Sequence, residues 1–130
     1  MIRDLARLLA EASPQLHARA VAVVALDGFE IPPGLEVIGL FREAEGLTLY
    51  VDAEAADAAG LPVAFKAAWI TMTVASALDA VGFTAAFASA LADKGIACNV
   101  LAGARHDHLF VPWELRDEAM QVLRTLGARR

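Results

Sequence analysis

Between residues 66 and 126 the chain reads strand–helix–strand–strand–helix. That order is one strand short of a split β-α-β arrangement, and it limits the available folds more than any other feature. Lys66–Val74 opens the series, and its Trp69–Val74 stretch alternates and is rich in β-branched residues. Asp79–Lys94 carries Phe83, Phe87 and Leu91 at helical spacing and stops at Gly95. Ile96–Leu101 and Leu109–Val111 flank a turn containing Gly103 and predict an antiparallel hairpin. Glu114–Leu126 then places Leu115, Ala119, Val122, Leu123 and Leu126 on one helical face, with Gly127 as its cap. The missing strand must come from the first half or from a second subunit, because an open sheet edge invites pairing.

The first half carries a partly similar series. Leu5, Leu8, Leu9 and Ala12 share a helical face, and Ser13-Pro14 ends that helix. Val21–Leu26 is an apolar run read as a strand, and Asp27–Gly34, with Pro32-Pro33-Gly34, is a loop. Leu35–Phe41 and Leu47–Val51 form a hairpin around Glu43-Ala44-Glu45-Gly46. Asp52–Ala59 is a short helix N-capped by Asp52 and stopped by Gly60 and Pro62. Gly34-Leu35 opens the first hairpin and Gly95-Ile96 the second. Leu49-Tyr50-Val51-Asp52 and Leu109-Phe110-Val111-Pro112 close them, so a faint internal repeat runs through the chain.

At 130 residues, 58% apolar, the chain suffices for one full core or two small halves sharing one. A net charge of −5 without a basic cluster argues against nucleic-acid partners and anionic membrane surfaces. Ala67–Ala92 holds a single charge, Asp79, but its break at Ser76–Gly82 fits strand, turn and buried helix better than a membrane span. A lone cysteine, Cys98, and an N-terminus interrupted by Arg3, Asp4, Arg7 and Glu11 point to a cytoplasmic protein.

Trp69–Val74, the turn Ala77-Leu78-Asp79-Ala80-Val81-Gly82-Phe83, the following helix and Gly95-Ile96-Ala97-Cys98-Asn99-Val100 together resemble an ACT domain, the regulatory module of aspartokinases and other enzymes of amino-acid metabolism. The whole chain, from about residue 15 to residue 126, resembles small bacterial proteins built from two ACT-like halves. Arg42–Thr48 and His106–Pro112 look like that family's two signature stretches. The resemblance implies an α+β fold of tandem ferredoxin-like βαββαβ halves, antiparallel sheets with helices on one face. The halves are expected at residues 1–64, incomplete, and 65–130. It also implies a non-catalytic sensor that binds a small amino-acid-type ligand where two ACT units meet, with a homodimer as the expected assembly. The ligand sits by the loop after the first strand, here Ala75–Gly82, which puts Ser76, Leu78, Asp79, Val81 and Gly82 at the site. Many ACT domains carry Pro-Gly in this turn where this chain has Val81-Gly82.

The side chains supply compatible chemistry. A helix starting near Asp79–Gly82 offers free backbone N–H groups to a carboxylate. Asp79, Asn99 and Asp107 offer acceptors to an ammonium group, and Asp107 would favour a basic ligand such as arginine or lysine. Each has a plainer reading: Asp79 as a helix N-cap, and Asn99, expected among apolar neighbours, as a tie to an adjacent loop. His106 and His108 project to one side of their strand and Asp107 to the other. The histidines are expected to bind loop carbonyls or ligand; a metal site with Cys98 is the lesser alternative, and no metal or cofactor is expected. Glu43 and Glu45 sit at a hairpin tip, where solvated charge is normal. No nucleophile elbow, phosphate loop or zinc-protease helix is present in the sequence, and adjacent strand residues cannot form a triad, so no catalysis is expected. The competing functional reading is a protein-interaction or oligomerisation module without a small-molecule ligand.

Overall fold

A computed structural model describes residues 1–129. Arg130, the last residue of the expected second half, lies outside the described residues. Helix α1 (Leu5–Glu11) is capped by the Asp4 carboxylate, which accepts from the Arg7 amide. Strands β1 (Pro14–Leu16) and β2 (Val21–Ala25) follow, then the hairpin β3 (Val37–Arg42) and β4 (Leu47–Asp52). Helix α2 (Ala53–Ala58) is capped by Asp52, as the sequence indicates. Strand β5 (Val63–Met72), helix α3 (Phe83–Ala92), the hairpin β6 (Asn99–Ala102) and β7 (Asp107–Pro112), a 3-10 turn (Trp113–Leu115), helix α4 (Arg116–Arg124) and a second 3-10 turn (Leu126–Arg129) follow.

The strands form one antiparallel sheet in the order β3-β4-β2-β5-β7-β6. The missing strand of the second half is supplied from within the chain. β1 pairs with the end of β5 (Leu16 against Ile70, Pro14 against Met72), while β2 pairs with its start. β5 is therefore used by both halves, and the expected boundary at 64/65 lies inside it. The two hairpins take equivalent places at opposite ends of the sheet.

All four helices lie on one face. Phe83, Phe87 and Leu91 of α3 and Ala119 and Leu123 of α4 pack with Leu8 and Leu9 of α1 against Ala68, Ile70, Met72, Leu109 and Val111. α2 covers Ala22, Val24, Leu49 and Val51 through Ala56. The other face carries Val21, Ala67, Trp69, Tyr50 and Phe110 and is strongly curled. A flat sheet would hold β3 and β6 roughly 24 Å apart. Instead, Leu101 of β6 fills the space where a Gly39 side chain on β3 would be, with its Cδ1 only 2.9 Å from an added Cβ.

Several boundaries differ from expectation. β1 has no sequence signature, since the three residues Pro14–Leu16 are too few to show a period. α3 starts at Phe83, not Asp79, because the turn before it is held by the N-terminal segment. α4 ends at a Thr125 cap, and Gly127 has no positive φ.

Gly46 closes the first hairpin at φ 153°, and a Cβ there would sit 1.9 Å from the Leu26 carbonyl oxygen. Gly60 also has positive φ (64°) but open space around it. Gly46→Ala is expected to cost about 3 kcal/mol or more in urea unfolding, and Gly60→Ala only about 1–2 kcal/mol.

Candidate functional site

The turn between β5 and α3 is clamped by the chain's second residue. The Ile2 amide donates to the Ala75 carbonyl and the Ala77 amide donates to the Ile2 carbonyl, both at 2.9 Å. Arg3 Nε donates to Asp79 Oδ1 at 2.9 Å, although both side chains are about two-thirds exposed (67% and 71%) and the pair is weak. Gly82, at φ 101°, precedes α3 and lets Leu5 approach, 3.1 Å from an added Cβ. Asp79 is thus not the helix cap: Gly82 occupies that position, and the Asp79 carboxylate meets Arg3 instead.

Beneath this turn Ser76 Oγ donates to Asp107 Oδ2 at 3.1 Å, and both residues are only 7% exposed. Asp107 forms no ion pair among the described residues. The two residues border a cavity of about 60 Å³ that also touches Leu78, Phe83 and Thr84. Leu78, on its wall, and Val81, further along the same turn, are 68% and 84% exposed. The pocket combines a buried carboxylate, a hydroxyl and the start of a helix, a pairing that suits one cationic and one anionic group side by side.

The opposite sheet face carries a second polar constellation. The Trp69 indole Nε1–H donates to His108 Nδ1 at 3.1 Å, and Thr71 Oγ1 lies 3.0 Å from the same nitrogen. His17 Nε2 is 2.8 Å from Thr71 Oγ1, and its ring stacks on Trp69 with centroids 3.6 Å apart. An indole N–H can only donate, so His108 Nδ1 is an acceptor and its ring proton sits on Nε2. The hydroxyl of Thr71 then donates to His108 and accepts from His17.

Two ACT domain family models match the sequence, over residues 2–68 and 65–125. The chain belongs to the ACT domain family. A Vibrio cholerae protein of unknown function, described as a possible transport protein, is 43% identical, with a TM-score of 0.83 over 95% of each chain. An Agrobacterium tumefaciens protein shares the fold at 17% identity and a TM-score of 0.72 over 90% of each chain. The ligand-free regulatory subunit of aspartate kinase from Thermus thermophilus does so at 12% identity and a TM-score of 0.65, over 87% of this chain and 95% of that one. No curated protein matches.

The expected site residues of this ACT protein therefore divide. Ser76, Leu78 and Asp107 meet at the cavity, with Val81 and Gly82 on the turn above. His108 faces the other side of the sheet, where it is taken up by Trp69 and Thr71 rather than by loop carbonyls. His106 is half-buried at the hairpin turn, where its carbonyl accepts from the Gly103 amide at 2.9 Å. Asn99 is exposed, not buried among apolar neighbours: it begins edge strand β6, opposite Phe110, on the face away from Asp107. No group of three metal-ligating side chains occurs among the described residues, and burial pushes the Cys98 thiol up to about 11. His17 was missed because nothing local marks it. The alternation Trp69–Thr71 was the signal that could have placed those two side chains beside His108.

Both imidazoles are held below the usual histidine range, chiefly by burial. The His108 charge adds to this at His17, and the His106 charge at His108, where Asp107 acts in the opposite sense. The unfolded chain takes up these protons near pH 6.5 and the folded chain only at lower pH. Their contribution to stability is complete above that value and is lost as pH falls through it toward the folded values. Between about pH 7 and 5 the melting temperature should fall more steeply for the wild type than for a His17→Asn/His108→Gln variant. Parallel curves by circular dichroism would contradict this assignment.

Proposed function

We propose that this protein is a non-catalytic regulatory module that binds a small amino-acid-type ligand at the Ser76–Gly82 turn, where two ACT units meet. The observation that carries this reading is Asp107, a buried carboxylate with a serine as its only hydrogen-bond partner among the described residues, lining a cavity at a helix start. An uncompensated buried carboxylate is costly, and a ligand ammonium or guanidinium would supply the missing charge. The free N–H groups at the start of α3 would take the ligand carboxylate.

A 60 Å³ cavity holds a charged head group, not a whole amino acid, so the rest of the ligand would lie over exposed Leu78 and Val81. Covering that remainder calls for a second ACT unit, which gives the homodimer its role. The expected halves, residues 1–64 and 65–130, share strand β5, and the first would carry no equivalent site, since loop 27–34 stands where its helix would be. His106, on the turn next to Asp107, is an outer residue of the site, Asn99 on the other sheet face takes no part in it, and the protein works in a reducing, cytoplasmic setting. A second reading, an interaction module without ligand, is favoured by the same exposed Leu78 and Val81, which form an apolar patch of their own.

A thermal-shift screen against the common amino acids separates the two. At a hundredfold its Kd a ligand adds ~2.7 kcal/mol, a rise of about 5–15 °C for a chain of this size. One amino acid should give that rise, and Asp107→Asn, which keeps the Ser76 hydrogen bond, should abolish it while the unliganded melting temperature stays at or above that of the wild type. A flat panel would move the function to protein interaction.

A further inference from the structure

The curled face of the sheet, opposite the Asp107 cavity, is hollowed along the seam between the halves. A cavity of about 670 Å³ runs along the seam between the halves past His17, Arg19 and Ile38 to Trp69. It continues, across the shared residues Ile38 and Trp69, into one of about 250 Å³ walled by Leu101, Phe110, Gly103 and His108. The contact of Leu101 with Gly39 brings the wall strands β3 and β6 together over this space. Any side chain at Gly39 would push Leu101 aside.

The space is apolar in the middle and unequal at its ends. At the hairpin end the His108 Nε2–H has no protein acceptor among the described residues, because the ring's other nitrogen takes both neighbouring donors. Nε2 lies against Gly103, 3.3 Å from where its Cβ would be. Arg105, on the same turn as Gly103, is exposed and makes no ion pair among them. At the far end the Arg19 guanidinium is already held by Asp52 (2.7 and 3.0 Å) and Glu54 (3.0 Å), so it offers no free charge.

We infer that this seam is a second binding site, for a monocarboxylate with an apolar body, its carboxylate accepting from the His108 Nε2–H beside the turn that carries Arg105, and its body against Trp69, Ile38 and Leu101. An unpaired donor in the wall of an apolar cavity is what fixes the orientation of such a ligand. The site lies on the other face of β7 from Asp107 and does not depend on the amino-acid reading.

The probe is phenylacetate, with phenethylamine as its charge-reversed counterpart, titrated at pH 7.5 into uniformly labelled full-length protein. Two indole N–H signals report in one spectrum: Trp69 in the seam and Trp113 away from it, assigned with Trp113→Phe. Phenylacetate should move the Trp69 signal saturably and leave Trp113 in place, and phenethylamine should bind at least tenfold more weakly. Ile38→Asp, at a position already 36% exposed and therefore tolerant, should weaken phenylacetate at least tenfold while the spectrum stays dispersed. Absence of a saturable Trp69 shift, equal binding of the two probes, or shifts confined to residues 75–84 would each overturn the proposal.

Discussion

Strand β5 is hydrogen-bonded along both sides, and nearly everything else in the molecule is placed by it. Its start pairs with β2 and its end with β1, while β7 runs along the other side from Ala67 to Met72. Within that doubly paired stretch Ala67, Ala68, Ile70, Thr71 and Met72 are all 7% exposed or less. A strand used by both halves removes two sheet edges that each half would otherwise leave open. It also explains the order of events in the chain: the Ser76–Gly82 turn leaves the end of this strand directly, and the N-terminal Ile2 returns to clamp it.

The strand period then sorts chemistry between the two faces. Asp107 points to the helices and His108 to the curled face, because neighbouring residues on a strand project oppositely. Three consecutive polar residues thus serve different environments: His106 at a turn, Asp107 beneath the Ser76–Gly82 turn, His108 in the Trp69–Thr71–His17 network. That network joins the β1–β2 connection, β5 and β7, tying the N-terminal segment to the second half by side chains as well as by backbone.

Most of the elements were legible because their signals are local. The Asp52 cap, the glycine turns and the 3.6-residue period of α3 and α4 all act over a few residues. What was not legible depends on contacts distant in sequence. β1 exists only because β5 offers it a partner edge, so Pro14-Gln15-Leu16 shows no strand pattern of its own. Asp79 sits at a plausible capping position, yet α3 starts only at Phe83 and the Asp79 carboxylate pairs with Arg3, 76 residues away. Asn99 was placed in a buried strand on the strength of its apolar neighbours, but β6 is an edge, and sheet order cannot be read from a single segment. The Ser76–Asp107 hydrogen bond joins two residues that were each marked separately; only the fold shows that they meet.

Hydrogen exchange measured by mass spectrometry, with and without a saturating pool of the common amino acids, tests the central claim most directly. Binding at the turn predicts slowed exchange in peptides covering 74–84 and 103–108, with the β3–β4 hairpin unchanged. Unchanged exchange at the turn, or protection confined to other segments, would contradict the account.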